Sequence, residues 1–334
     1  MRSSIEFALF ANRRLQGLGI SPREAIELAA NYQERAQRSA SFSELAEELI
    51  EAKRQAGRSH RHERDLKSKL GRFGATFGDR SVSTIESSEI IDWLHQLQVG
   101  AGSINSYRRI LNLAFKFAMK RGYRVDNPVS HVERMDSTQR EVEILTVQEI
   151  RLLLEAAEPP ILPAIAIAAF AGLRASEIEG TKDHPGLKWA EIDFDEGTIL
   201  VRAEVAKGRS RRHVPISDNL RSWLIAAGHR EGNLWPKNGR KLFEAAKRAA
   251  GFGGDRSESQ VTHPARPWPR NGLRHCYASY HLARYRNPAE LVLNLGHHDD
   301  ADTLFNHYRG LVKPSDADAY WSITPVTATN MAPS

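Results

Sequence analysis

The sequence predicts a mainly α-helical chain with one small antiparallel β-sheet, an α+β fold in two helical domains. Three observations carry that expectation. Apolar residues recur at three- and four-residue spacing along most of the chain. One segment, KWAEIDFDEGTILVRAEVAKGRSRRHVPIS, alternates instead, and is broken by the turns Asp195-Glu196-Gly197 and Lys207-Gly208-Arg209. The polar run HVERMDSTQREVE separates two helix-rich halves. With 334 residues, 41% of them hydrophobic, each half has enough apolar side chains for a core of its own.

Within an N-terminal extension, residues 1–40, a helix is expected around PREAIELAANYQERA. Ser41 followed by Glu44 has the capping-box spacing and starts a helix with Leu45, Leu49 and Ile50 on one stripe. A third helix carries Leu66, Leu70, Phe73 and Phe77. Around it lie Lys53, Arg54, Arg58, Arg61, Arg64, Lys67, Lys69 and Arg72, a run that is either a solvated face or an anion-binding one. SSEIIDWLHQL follows, then a helix from Ser103 that stops at Gly122. Its stripe is Ile104, Tyr107, Leu111, Ala114, Phe115 and Ala118, which leaves Arg108, Arg109, Lys116, Lys120 and Arg121 on other faces. Asn127-Pro128 closes this helical domain, residues 41–130, and a linker spans 131–145.

The second domain covers 146–334. Thr146 and Glu149 form another capping box before Ile150, Leu153, Leu154 and Ala157. PAIAIAAFAGL is apolar all round and belongs in a core. After the alternating segment the helical pattern returns from Arg240. The terminal LVKPSDADAYWSITP begins a helix at Pro314-Ser315, and its Ala317, Tyr320 and Trp321 pack either on their own domain or on a neighbouring protomer.

A formal charge of +6 and an isoelectric point near 9.4, with arginine outnumbering lysine, favour a polyanionic partner, because the guanidinium fork binds phosphate oxygens in pairs. Nucleic acid leads that class. The single cysteine, Cys276, makes no internal disulfide and no thiolate cluster; it suits a reducing compartment and reads as a small buried hydrophobe. The longest apolar run falls short of the roughly 20 residues a bilayer span needs. Arg13 and Arg14 follow, rather than precede, the stretch FALFA, which is the wrong order for a secretory signal. A cytoplasmic protein without a membrane partner is expected.

Five residues of the second half could carry chemistry, and each has an ordinary structural reading beside the functional one. Arg174, in AGLRASEIEG, could simply pair with Glu177 or Glu179 at helical spacing. Lys207 could be a solvated hairpin lysine. Arg274 lies in NGLRHCYASY, His297 closes LVLNLGH, and Tyr308 follows eleven positions later. His297, His298, Asp299, Asp300 and His307 are metal-ligand types. Adjacent side chains such as His297 and His298 point apart, however, and no H-E-x-x-H spacing occurs.

The order and setting of these segments resemble the tyrosine recombinases, or phage-type integrases. GLRASE at Gly172–Glu177, the hairpin around Lys207, NGLRH at Asn271–His275, LGH at Leu295–His297 and HYR around Tyr308 match that family's GLR-x-x-E segment, β-hairpin lysine, H-x-L-R-H box, L-G-H box and tyrosine. The match runs from about Thr146 to Arg309, and the basic helical segment before it looks like the family's core-binding domain. One position departs: Asn271 stands where the family usually has histidine. Asparagine donates a hydrogen bond but does not titrate near neutral pH.

What the resemblance implies is site-specific recombination by strand cleavage through a 3′-phosphotyrosyl bond, with no metal, ATP or other cofactor. Tyr308 would be the nucleophile, Arg174 and Arg274 would clamp the phosphate, and Lys207 would protonate the leaving 5′-oxygen. His297 would hydrogen-bond a phosphate oxygen or help Tyr308 lose its proton, and Asn271 would add a neutral donor in the same shell, with Glu177 orienting Arg174 and His275 supporting the fold of the site. Arg54, Arg58, Arg61, Arg64, Lys67, Arg108, Arg109, Lys116, Arg209, Arg211 and Arg212 would contact the backbone of double-stranded DNA. The resemblance also implies a homotetramer on synapsed DNA from a protein that can be a free monomer, with accessory DNA-bending or directionality proteins as possible partners. A silent DNA-binding protein and a topoisomerase-like nicking-resealing enzyme are the alternatives on the same scaffold.

Overall fold

In a computed structural model, the chain divides into two compact units, Met1–Gln139 and Arg140–Ser334. The structure describes all residues except 1, 18, 137–141, 207–209, 229–230, 254–265, 297–304, 306–307 and 327–334, and gives the backbone alone for 2–6, 32–33 and 35–38. The fold is the expected one, mostly helical with a single three-stranded antiparallel sheet among the described residues. No described helix is long and apolar enough to cross a membrane.

The first unit contains α1 (Arg2–Gln16), α2 (Pro22–Arg38), α3 (Phe42–Gln55), α4 (His60–Phe77), α5 (Ser87–Gln96) and α6 (Ala101–Arg121). The α3 capping box is made: the Glu44 N–H donates to Ser41 Oγ at 3.3 Å and the Ser41 N–H to Glu44 Oε2 at 2.8 Å. Two of the four orphan amides at that helix start are thereby satisfied. The stripes of α3 to α6 converge on Phe42, Phe73, Trp93 and Phe115. Phe42 meets Phe73 edge-on at 4.7 Å, and Phe73 meets Trp93 at 4.9 Å. Beside this core, the buried Arg124 donates from Nη1 to Val82 O and Ile85 O, so its charge sits among carbonyls rather than unpaired. Helix α6 begins at Ala101, two residues earlier than its apolar stripe indicates, and ends at Gly122 with φ +77°. Helix α1 was not evident from sequence: apart from FALFA it has no sustained stripe, and Phe7 and Phe10 are exposed.

The second unit is built around α8 (Leu162–Phe170), whose side chains are buried on nearly every face. Around it lie α7 (Val147–Glu155), the short α9 (Ala175–Glu179), α10 (Asp218–Ala227), α11 (Gly239–Ala249) and α12 (Gly272–Tyr285). Strands β1 (Ile192–Asp193), β2 (Thr198–Val201) and β3 (Arg212–Pro215) pair in that order, with Ile199 opposite both Ile192 and Val214. The β2–β3 connection holds Lys207 and Arg209, which lie outside the described residues. Helices α13 (Pro288–Leu295) and α14 (Pro314–Trp321) complete the unit.

The terminal helix packs on its own unit. Tyr320 is fully buried, stacked on Tyr280 at 4.1 Å and tilted against Phe170 at 5.1 Å, with its hydroxyl donating to Ala169 O. Trp223 Nε1 donates to Ile323 O at 3.0 Å, holding the residues after α14 as well. Replacing Tyr320 by alanine therefore should cost about 3–5 kcal/mol of unfolding free energy in the monomer. Denaturant titration at low protein concentration checks it; an unchanged monomer would mean that this helix packs elsewhere in solution.

Candidate active site

The site is assembled at two chain turns and two helix ends. Gly172, at φ +64°, turns the chain out of α8, and any β-carbon there would collide with the Tyr277 ring. This turn puts Arg174 at the N-cap of α9, with its backbone N–H donating to Glu177 Oε2 at 2.8 Å and its Nη1 to Glu177 Oε1 at 3.0 Å. At the other edge, Gly296 ends α13 at φ +57°, where an added β-carbon would lie 2.9 Å from Arg212 Nη1. The guanidinium occupies the space a side chain would need.

Three consecutive carbonyls at the end of α13 each accept from a different arginine. Asn294 O receives Arg212 Nε at 2.9 Å, Leu295 O receives Arg274 Nη2 at 2.7 Å, and Gly296 O receives Arg174 Nη2 at 3.3 Å. The last carbonyls of a helix lack intrahelical partners and carry its negative dipole end, so cations are stabilised there. Arg274, in the first turn of α12, also donates from Nη1 to Gly172 O at 2.6 Å.

Glu177 is the single carboxylate described in this cluster. Its side chain is fully buried and receives Arg212 at 3.1 and 2.8 Å in addition to Arg174. Burial pushes its carboxyl upward, but the hydrogen bonds and charge of Arg212, with those of Arg174, outweigh burial and hold it below the usual 4.5. Three guanidiniums facing one carboxylate leave excess positive charge. The mutual repulsion is visible at Arg274, which burial foremost, and then Arg174, push down to about 9. An anion entering beside Arg174 and Arg274 would relieve it.

Tyr308 belongs to a small apolar cluster with Tyr277, Ala278, Leu282, Leu291 and Leu295. It lies in a helical turn in which the Arg309 N–H donates to Phe305 O at 2.9 Å. Its hydroxyl is 2.8 Å from His275 Nδ1. Burial raises the phenol above its ordinary 10, while Arg274 and then Arg174 act in the opposite direction, so both arginines are electrostatically close to the hydroxyl.

Of the residues singled out from sequence, Arg174, Glu177, Arg274, His275 and Tyr308 come together. His297, with His298, Asp299, Asp300 and His307, lies outside the described residues, as do Lys207 and Arg209. Among the described residues no group of histidine, cysteine, aspartate and glutamate side chains could hold a metal ion. Asn271 is exposed and left-handed, at φ 56° and ψ 25°, just before α12. Asparagine tolerates that conformation better than most residues, which gives its presence a backbone reason independent of chemistry.

Arg212 corrects the sequence reading. Expected on DNA phosphates, it is instead turned inward, with its side chain 9% exposed and its guanidinium taken up by Glu177 and Asn294 O. No local spacing signals this, since its partners lie 35 and 82 positions away. Arg211 beside it is exposed. In the first unit Arg58, Arg61, Arg64, Arg109 and Lys116 are exposed, whereas Arg54 and Lys67 pair with Glu63 at 2.8 Å and Arg108 donates to Val132 O at 2.5 Å. His62 is held below 6.5 by burial, then by Arg58 and Lys53, with Arg109 adding to the effect and Asp65 opposing it, so α3, the turn after it and α6 contribute to one positive region.

Comparison with known proteins agrees with this architecture. Residues 143–313, just over half of the chain and all within the second unit, match the phage integrase family. Tyrosine recombinase XerC of Alcanivorax borkumensis is 26% identical over 229 residues, 63% of this chain and 70% of that protein. IntQ of Escherichia coli K12, a protein described as defective, is 26% identical over 110 residues, so the match covers 33% of this chain and only about a quarter of IntQ. Lambda integrase has the same fold at 17% identity, both as a dimer bound to a COC′ core site (TM-score 0.64, 93% of this chain, 88% of that one) and as a tetramer bound to a Holliday junction (0.62, 88% and 84%). This chain belongs to the phage integrase family.

The Glu177 arrangement yields a stability prediction. Glu177→Gln should lose about 3–5 kcal/mol at pH 7, because two largely buried guanidiniums are left without their fully buried counter-charge. A carboxylate held below its unfolded value contributes stability that is complete above about 4.5 and disappears as pH falls through its folded value. The gap between wild type and variant should therefore narrow below pH 4.5, as followed by thermal melts across pH; a pH-independent gap would remove charge as the cause.

Proposed function

We propose that this protein is a site-specific DNA recombinase that cleaves and rejoins strands through a 3′-phosphotyrosyl intermediate, without metal or ATP. The observation that carries the reading is the convergence of Arg174, Arg274 and the Tyr308 hydroxyl, an excess of positive charge beside a nucleophile. In the proposed reaction Tyr308 Oη attacks a backbone phosphate and the P–O5′ bond breaks. The 5′-hydroxyl so released later attacks the phosphotyrosine of another strand, so bond energy is conserved over two reversible steps. Charge building on the non-bridging oxygens is met by Arg174 and Arg274, whose remaining N–H groups are donors fixed in place beforehand. Lys207 serves as the acid for the 5′-oxygen. His297 and the amide of Asn271 donate to phosphate oxygens.

Exposed arginines and lysines of the first unit, Arg58, Arg61, Arg64, Arg109 and Lys116, together with Arg211, supply phosphate contacts that fix register without reading sequence. In this reading the segment 41–130 is the core-binding domain, 131–145 the linker and 146–334 the catalytic domain. Strand exchange requires a tetramer on synapsed DNA, which the tetrameric lambda integrase complex supports by analogy of fold.

The test uses wild type and Tyr308→Phe with nicked duplexes carrying the junctions that flank the gene, in excess EDTA, resolved on a denaturing gel. A covalent protein–DNA band is expected in wild type and absent in the variant. A band in both would remove Tyr308 as nucleophile. A native-gel shift without any covalent band would favour a silent DNA-binding protein, for which the non-titrating Asn271 is the specific observation.

A further inference from the structure

We infer that His275, rather than a residue at position 271, is the proton acceptor for Tyr308 in this protein. The inference rests on the strand-cleavage reading and adds a residue to its chemistry. Two independent observations carry it. His275 Nδ1 lies 2.8 Å from Tyr308 Oη, within the range of a direct proton transfer, with the rings tilted at 41° and their centroids 5.7 Å apart. Asn271 has no group that accepts a proton near neutral pH, and it stands exposed at the left-handed entry to α12.

The need for a base follows from the setting of the phenol. Tyr308 is 5% exposed, packed by Tyr277, Leu291 and Leu295, so bulk hydroxide reaches it poorly and burial opposes its ionisation. Among the described residues the cations acting on Tyr308 are Arg274, adjacent to His275 on α12, and Arg174 at the start of α9. Both stabilise the phenolate once formed, and neither takes the proton. With the imidazole proton on Nε2, Nδ1 accepts the hydrogen bond from the Tyr308 hydroxyl. As Oη bonds to phosphorus, its proton passes to Nδ1. The electron pair of the breaking P–O5′ bond goes to O5′, which takes a proton from the acid assigned above to Lys207. In rejoining, the 5′-hydroxyl gives its proton back to Lys207 as its oxygen bonds to phosphorus, the P–Oη bond breaks, and His275 returns its proton to Oη.

The variant His275→Asn keeps a polar group near the Nδ1 position and removes the titrating ring. Single-turnover formation of the covalent adduct on the nicked duplex cleaved by wild type should fall by about 10²–10⁴-fold, while DNA affinity and melting temperature stay at wild-type values. The pH profile separates a base from a prop. Wild-type rate should rise with pH and level off once the imidazole is neutral, whereas the variant should keep rising about tenfold per pH unit, because hydroxide must then take the proton. Should His275→Asn lower the melting temperature, His275→Gln is measured in the same way. A variant with the wild-type rate and plateau overturns the inference, and so does a rate loss that leaves the plateau in place. Absence of adduct in wild type is a different result: it overturns the strand-cleavage reading, and this inference with it.

Discussion

The second unit depends on one electrostatic arrangement, the capture of three arginines by the end of a single helix and one buried carboxylate. Burying guanidiniums is costly unless their donors find acceptors. The last turn of α13 supplies Asn294 O, Leu295 O and Gly296 O, one for each of Arg212, Arg274 and Arg174. Glu177 then fixes the distance between Arg174 and Arg212 by accepting from both. The glycines follow from this packing: Gly172 leaves room for Tyr277, and Gly296 leaves room for Arg212. Segments distant in the chain, α9, β3, α12 and α13, are thereby tied at one point, which is also where chemistry is proposed.

The same arrangement accounts for the division of labour among the arginines. Arg212 has its guanidinium occupied by the carboxylate and a carbonyl and acts as a structural counter-charge. Arg274 is held from two sides by Gly172 O and Leu295 O, with burial and Arg174 opposing its charge. Fixing cations in this way before an anion arrives removes reorganisation from the reacting step, which is what a phosphoryl-transfer site requires. Tyr308 shows the complementary tension: burial that excludes water also disfavours the phenolate, and nearby arginines offset part of that cost.

Much of the fold was legible because its signals are local. Ser41 with Glu44 and Thr146 with Glu149 both form the capping boxes their spacing indicates. Gly122 ends α6, and the run LPAIAIAAF is buried as its composition requires. Helix α1 was missed because amphipathic patterning is weak where Phe7, Leu9 and Phe10 remain exposed. The candidate site was legible as an ordered set of short motifs, but its geometry was not. Glu177 reads locally as a partner of Arg174, three positions before it, while its second arginine comes from β3. His275 reads as a neighbour of Arg274, and only folding brings its ring to the Tyr308 hydroxyl, 33 positions away. Contacts of that separation leave no periodicity for sequence reasoning to find.

The central claim is that Arg174 and Arg274, fixed by the helix end, meet a phosphate with their remaining N–H groups, while Arg212 stays on Glu177 and Asn294 O as a structural counter-charge. The most direct measurement is a crystal structure of the protein with vanadate bridging Tyr308 and the cleaved ends of a duplex, vanadate standing in for the pentacoordinate phosphorus of the transition state. The account predicts equatorial vanadate oxygens on Arg174 and Arg274, with Glu177 still paired to Arg212 and Arg212 still on Asn294 O. Vanadate ligated by Arg212, with Glu177 released from it, would contradict the account.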